Sequence, residues 1–311
     1  MASSNKKKLV CNFKRHEFPN FDDIDVSTRT FTSSGNIKIK LEKLFDFLDV
    51  TPYSVVPKKR GRKKKVEQET KNTELNNGSI ISLEFEGKIK GVRIKAKKQK
   101  KFFRNSLTVV MFIINKFINF KVCKNGTFQL TGCKTEEHAE KCIKYIWNAM
   151  KDNRELYTID NDENPYFLII PSMRNIDFSL GFFVDREKLN QYMVNKQDNL
   201  HCLLETSFGY TGLNIKIPLE EDITQLQIKK LAFKVDQWVE NYTTYREFLD
   251  TLQEKERKKK EYDRYNTFLV FQSGKVIHSG ISNEYMKKAY YDFLEIIYSC
   301  YDQIEERLDT N

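Results

Sequence analysis

The 311-residue chain contains no run of 18 apolar residues, so no transmembrane helix and no membrane partner is expected. Its first residues lack the apolar segment of a signal peptide, so no secretory leader is expected either. Cysteine is scarce: six residues, scattered, with no Cys-x-x-Cys. That excludes a disulfide framework, argues against a structural metal site and fits a reducing compartment. The four histidines stand apart from one another and read as surface or packing residues. There is no glycine-rich phosphate loop and no nucleophile motif. The acidic groups Glu220, Glu221 and Asp222, and Asp22 with Asp23, fall in linkers, where solvated carboxylates are expected rather than a two-metal nuclease site. With no catalytic residue, metal site or cofactor site in view, the expectation is a protein that is not an enzyme.

What is present is core material and positive charge. Apolar residues make up 40% of the chain, with 23 Phe and 15 Tyr, which rules out a fully disordered polymer. There are 53 basic against 43 acidic residues, a net charge of +10. Seven of the basic charges sit in one tract, Lys58, Lys59, Arg60, Arg62, Lys63, Lys64 and Lys65. Without it the rest is only mildly basic, so composition suggests a polyanionic partner without naming one.

Along the chain, residues 1–23 are polar and basic and read as a mobile arm. Residues 26–34 (VSTRTFTSS) alternate like a strand, and 38–49 space their apolar residues like a short helix ended by Pro52 and Pro57. Residues 57–78 are almost devoid of apolar side chains and read as a disordered basic insertion. A hairpin is expected over 79–95, then two β-like runs, 107–114 and 117–123. Asn125-Gly126 turns the chain into another strand, and Thr135 caps a helix whose apolar stripe is Ala139, Cys142, Ile143, Ile146 and Met150. Residues 151–165 form an acidic linker.

The pattern then restarts. Residues 167–184 are β-rich, 186–194 suit a short helix, and 200–218 suit a strand or hairpin. Thr244 and Glu247 form a capping-box signature that opens a charged helix expected to reach about Tyr262. Residues 267–279 read as a hairpin around Ser273-Gly274. Ser282 caps a last helix with the stripe Met286, Ala289, Tyr290, Phe293, Ile297, Cys300 and Ile304.

The two halves share anchors. Ser27-Thr28-Arg29 matches Ser172-Met173-Arg174, and Glu42-Lys43-Leu44 matches Glu187-Lys188-Leu189, both at an offset of 145 residues. The stretch GVRIK from Gly91 resembles GLNIK from Gly212 at an offset of 121, and Gly126 and Gly132 match Gly274 and Gly280 at 148. Two copies of a β-α-β-β-β-α unit explain these shifts if each carries its own insertion. The copies are residues 24–150 and 166–305, with insertions at 57–78 and about 219–262. Two long copies suggest pseudo-twofold symmetry rather than a solenoid.

The segment LVFQSGKVIHSGISNEYMKKAYYDFLEIIY (269–298) resembles the strand–SGK–strand–TG–helix segment of TATA-box-binding proteins. Residues 121–147 resemble its sister copy. The Lys-, Asn- and Ile-rich composition is most similar to the TATA-binding-like proteins of large nucleocytoplasmic DNA viruses. The resemblance implies an α+β fold in which two pseudo-repeats form one curved antiparallel saddle sheet with helices on its convex face. It also implies double-stranded, AT-rich promoter DNA as a partner, with general transcription factors or RNA polymerase subunits. The place of action would be the nucleus or a cytoplasmic viral factory. That family is itself the type case of minor-groove binding with apolar wedges.

Carried over position by position, the resemblance implies Phe271, before SGK, as one wedge. Phe208 and Phe85, each near a glycine of the preceding strand pair, would be two more. The fourth position is Cys123, a departure, for which Phe120 or Phe128 would substitute if suitably turned. Asn175 resembles the amide that reaches the groove floor, with Thr30 in its place in the first half. Thr131 and Ser279 supply short hydroxyls facing acceptor-only A·T edges. Lys275 matches a phosphate-contacting lysine that Thr127 replaces in the first half, and Arg93, Lys95 and Lys216 would reach phosphates. Any one of these lysines taken singly reads first as a solvated surface charge. The KKRGRKKK tract reads as an electrostatic loop, an import signal or a partial AT-hook. Two further readings stay open: a saddle-fold protein-interaction module without DNA kinking, and a sequence-blind architectural DNA binder. The charged helix is a docking arm in one reading and a solvated helix in the other.

Overall fold

The computed structural model describes residues 18–53, 75–92, 104–160, 164–196, 200–204, 212–260 and 264–306. In chain order the elements are β1 (Val26–Gly35), β2 (Ile37–Ile39), α1 (Leu41–Phe47), β3 (Ile80–Phe85), β4 (Lys88–Gly91), β5 (Ser106–Ile113) and β6 (Lys116–Cys123). Next come β7 (Phe128–Cys133), α2 (Glu136–Met150), β8 (Tyr157–Ile159), β9 (Tyr166–Ser179), α3 (Arg186–Lys196), β10 (His201–Leu204) and β11 (Gly212–Pro218). The last are β12 (Gln227–Lys234), β13 (Gln237–Thr244), α4 (Tyr245–Asp250), α5 (Glu254–Lys258), β14 (Tyr265–Phe271), β15 (Lys275–Gly280) and α6 (Asn283–Ile304). The fold is α+β, and the strand pairings described are antiparallel.

Contacts divide the chain into two compact units. The N-terminal unit holds residues 28–172 and 223–251, and the C-terminal unit holds the remainder. In the N-terminal unit the strand order is β1-β7-β6-β5-β3-β4. Period-two alternation turns Leu107, Val109, Met111 and Ile113 of β5 inward, where they share a core with the α2 stripe of Ala139, Cys142, Ile143, Ile146 and Met150. Thr135 caps α2 in a capping box completed by His138 rather than by an acid. The β3–β4 hairpin turns at Glu86-Gly87 and the β5–β6 hairpin at Ile114-Asn115, all four at positive φ, as two-residue hairpin turns require.

In the C-terminal unit β10, β11, β14, β15 and the second half of β9 lie side by side. Phe268 is the centre of its core. The ring stacks on Phe293 of α6 at 4.2 Å between centroids and 7° between planes, and on His278 of β15 at 4.0 Å and 18°. Every residue of the expected α6 stripe is buried. The SGK turn is tight because Gly274 sits at φ 76°, and a Cβ there would collide with the Phe182 carbonyl oxygen.

Several segments differ from expectation. Residues 18–23 are no free arm: Phe21 is buried in the C-terminal core and Tyr290 donates to the Pro19 carbonyl at 2.8 Å. The linker 151–165 contains β8, paired with β2. The expected charged helix is short. The Thr244–Glu247 box opens α4, which ends at Asp250, and α5 covers only Glu254–Lys258. Residues 227–244, ahead of it in the same insertion, form a hairpin, β12–β13, turning at Val235-Asp236 and paired through β12 to the first half of β9. Lys229 ties that hairpin to α2, meeting Glu140 at 2.8 Å and Glu136 at 3.5 Å, with Glu240 at 3.2 Å. The basic tract lies outside the described residues.

His278 carries a pH dependence. Its Nε2 donates to Asn266 Oδ1 at 3.1 Å, while Asn266 Nδ2 donates to the Tyr285 carbonyl. Burial, and then Arg174, push its pKa down to about 3. Between about pH 6.5 and 3 the unfolded state therefore binds a proton that the folded state does not, so stability falls on acidification. The contribution approaches 1.4 kcal/mol per pH unit, roughly, within that window. Urea unfolding at pH 6 and pH 4 should show this slope, and His278→Phe, which keeps the stacked ring, should remove it.

Candidate nucleic-acid interface

Seating Phe268 and Val270 in the core turns their neighbours Thr267, Leu269 and Phe271 to the other face of the C-terminal sheet. These three are half-buried, as are Ile277 and Ser279 on β15, and no helix among the described residues buries them. The registers arrange this face in rows. Lys216, Thr267, Ser279 and Asn175 lie opposite one another on β11, β14, β15 and β9. The next row is Leu203, Asn214, Leu269, Ile277 and Asp177. At the end of the sheet, Phe271 lies opposite Gly212, and Lys275 opposite Ser179. A Cβ at Gly212 would run into Leu269 at 2.5 Å, so glycine is what lets β11 close beside it.

The structure thus brings Phe271, Asn175, Ser279, Lys275 and Lys216 onto one face. Lys275 is exposed, and Lys216 stands 5.7 Å from the Tyr265 ring. Thr267 and Asn214, which the sequence reading missed, belong to the same face. Their signal is parity with Phe271 and Lys216 along β14 and β11. The amide oxygens of Asn175 and Asn214 are sealed from solvent and find no hydrogen-bond partner. Phe208, Arg93 and Lys95 lie outside the described residues.

In the N-terminal unit the exposed Thr131 lies opposite Asn119 and donates to its carbonyl at 2.9 Å. Thr32, Gln129, Lys121, Thr108 and Glu84 form the adjoining row. Cys123 shares that face by alternation and is half-buried. Burial pushes its thiol pKa up, with Lys121 opposing. Phe85 does not belong there. Its parity is that of Leu83, it is only 8% exposed, and its ring meets Phe45 of α1 at 6.2 Å. Phe120 and Phe128 are also core residues, stacked on each other at 6.3 Å, so neither fills the place of a ring at Cys123.

Strand register is the reason Phe85 faces the core. β4, which carries Gly91, pairs with β3 and not with the strand before the glycine turn. That neighbour is β5, with Ser106 opposite Cys123 as Gly212 is opposite Phe271. Phe102 precedes Ser106 by four positions, as Phe208 precedes Gly212, and is the counterpart in sequence.

These elements define an α+β protein with antiparallel sheets, each unit having a helix-packed core and one face left uncovered by that core. No protein-family model matches the chain. It is 31% identical over 212 residues to Uncharacterized protein 335L of Invertebrate iridescent virus 6, a match covering 64% of this chain and 61% of that protein. It is 27% identical over 240 residues to TATA-box-binding protein-like of Acanthamoeba polyphaga mimivirus, covering 67% and 61%. The chain therefore matches 61% of the length of each of these relatives. Among solved structures, Methanococcus jannaschii TBP aligns over 90% of this chain and 99% of its own, at 16% identity and a TM-score of 0.45. The chain is thus similar, over part of its length, to a viral protein named TATA-box-binding protein-like.

The placements predict opposite costs for two phenylalanines. Phe85→Ala should cost about 3–5 kcal/mol, as for a filled core site. Phe271→Ala should cost no more than about 1 kcal/mol, its ring being on the uncovered face. Denaturant midpoints of the two variants check this directly.

Proposed function

We propose that the protein is a transcription initiation factor, not an enzyme, that binds AT-rich promoter DNA through the minor groove, bends it and helps recruit RNA polymerase. The observation that carries this reading is the C-terminal face. Thr267, Ser279 and Asn175 form a row of short hydroxyls and an amide, Leu269 and Ile277 lie in the next row, and Phe271 stands beyond them at the strand end. An A·T minor groove offers only acceptors on its floor, which hydroxyl and amide donors can meet without bulky side chains intervening. Apolar residues at a strand end can unstack a base step, and the bend so produced brings more DNA onto the sheet. Lys275 and Lys216 at the margins suit phosphate contacts, which position the duplex without reading it.

In this reading the two units are pseudo-repeats of one saddle, with their helices on the convex side. The N-terminal copy offers Thr131 to the groove floor, and Phe102, by its sequence spacing to Ser106 alone, is assigned the part first given to Phe85. Cys123 makes the copies unequal, because a thiol cannot wedge as a phenyl ring does. The DNA would then be kinked more strongly at the end met by Phe208 and Phe271. The family resemblance of the viral relative supports the same reading. Such a factor would act where the genome is transcribed, in the nucleus or a cytoplasmic viral factory.

Cys123 also favours a second reading, in which the saddle is kept for protein partners and DNA is not kinked. End-labelled duplexes with and without a TATA-like core separate the two at near-physiological salt. The first reading expects a bent complex on the AT-rich core, lost in the Phe208→Ala/Phe271→Ala double variant with about a tenfold or greater fall in affinity. Binding without bending, indifferent to the double variant, would overturn the kinking mechanism. Equal binding to AT- and GC-rich duplexes with steep salt dependence would identify a sequence-blind binder instead.

A further inference from the structure

We infer that Asn214 is a second base-reading residue, a specificity determinant that rejects G·C pairs at its own position. The inference rests on the minor-groove reading of the C-terminal face.

Asn214 is out of place for a residue whose only role is to build the sheet. Asparagine is disfavoured in strands. Its cross-strand neighbours on the uncovered face are Leu203 and Leu269, neither of which has a side-chain hydrogen-bonding group. Its Oδ1 is accordingly sealed from solvent without a partner. A buried, unsatisfied polar atom lowers stability, and such atoms in folded proteins call for an explanation. A leucine here would continue the apolar row of Leu203, Leu269 and Ile277 and leave nothing unpaired.

The orientation of the amide supplies the explanation. Oδ1 is sealed, whereas Nδ2 is not one of the sealed, unpartnered atoms, so the nitrogen is the end of the amide left to donate. A donor there meets the adenine N3 or thymine O2 acceptor of either A·T orientation. Guanine places its N2 amino group at the same level of the groove, so a G·C pair sets donor against donor. Asn175 has the same sealed, unpartnered oxygen and lies three strands away on β9, roughly 14 Å across the sheet. The two amides would therefore test separate base pairs. Leu203, 61% exposed at the edge of the row, extends the apolar surface beyond Asn214.

The experiment uses the full chain and one AT-rich duplex, in which each A·T pair is replaced in turn by G·C and then by inosine·cytosine. Inosine lacks the 2-amino group, so it isolates the donor clash from every other change. The wild type should show two separate positions where G·C weakens binding by about tenfold, with inosine·cytosine restoring it. Asn214→Leu should lose the penalty at one of them and keep the other, with a melting temperature equal to or above that of the wild type. Both penalties surviving in Asn214→Leu would overturn the inference, as would a lowered melting temperature with weaker binding at every position. A wild type that binds none of the duplexes would instead overturn the minor-groove reading itself. That outcome is distinguishable because it appears before any variant is compared.

Discussion

The stack of Phe268 between His278 and Phe293 decides which face of the C-terminal sheet is left uncovered. In a strand, consecutive side chains cannot both point into the core. Once Phe268 is seated on α6, Leu269 and Phe271 must face away from it. Antiparallel pairing then carries the same choice to Ile277 and Ser279 on β15, to Asn175 on β9 and to Asn214 and Lys216 on β11. A one-residue slip would bury Phe271 and expose Phe268. The candidate interface is thus a consequence of core packing, and its rows are fixed by the same hydrogen bonds that build the sheet. His278 adds a condition, since it packs as a neutral ring and resists protonation.

The N-terminal unit obeys the same alternation with different side chains. Thr131, Asn119, Gln129 and Lys121 keep its face polar, and Cys123 stands where the C-terminal unit has Phe271. The inserted hairpin β12–β13 is held by charge as well as by pairing, with Lys229 only 12% exposed among Glu136, Glu140 and Glu240. Removing one partner from such a cluster leaves a poorly solvated charge, so the network specifies where the insertion docks. That gives residues 227–244 a structural role in their own unit.

Much of this was legible in the sequence because the relevant signals are local. Strand alternation, the Asn125-Gly126 and Ser273-Gly274 turns, and the stripes of α2 and α6 all rest on residues within one turn or one hairpin. Phe271, Asn175, Ser279, Lys275 and Lys216 came instead from the resemblance to the TATA-box-binding segment, and it is the strand registers that put them on one face. Phe85 was misread because its side depends on which strand pairs with which. Two hairpins precede the first glycine turn, β3–β4 and β5–β6, and sequence alone does not say which lies beside Cys123. In the insertion at about 219–262 only the charged helix was foreseen, for a related reason. Its β12–β13 turn uses Val235 and Asp236 at positive φ without a glycine, so the hairpin signal is weak while the capping box at Thr244 is strong. Asn214 was missed because a lone polar residue in a strand becomes informative only when its neighbours are seen to be leucines.

In the proposed reading, the face opposite α6 in the C-terminal unit is the surface that meets DNA. Methyl resonances test it most directly, because leucines and isoleucines lie on both faces of these strands. On titration with an AT-rich duplex, Leu269 and Ile277 should shift strongly, while Leu213 and Ile215 on the same sheet and Ile297 of α6 should move little. Shifts concentrated on the α6 side, or saturable binding that leaves Leu269 and Ile277 unchanged, would contradict it.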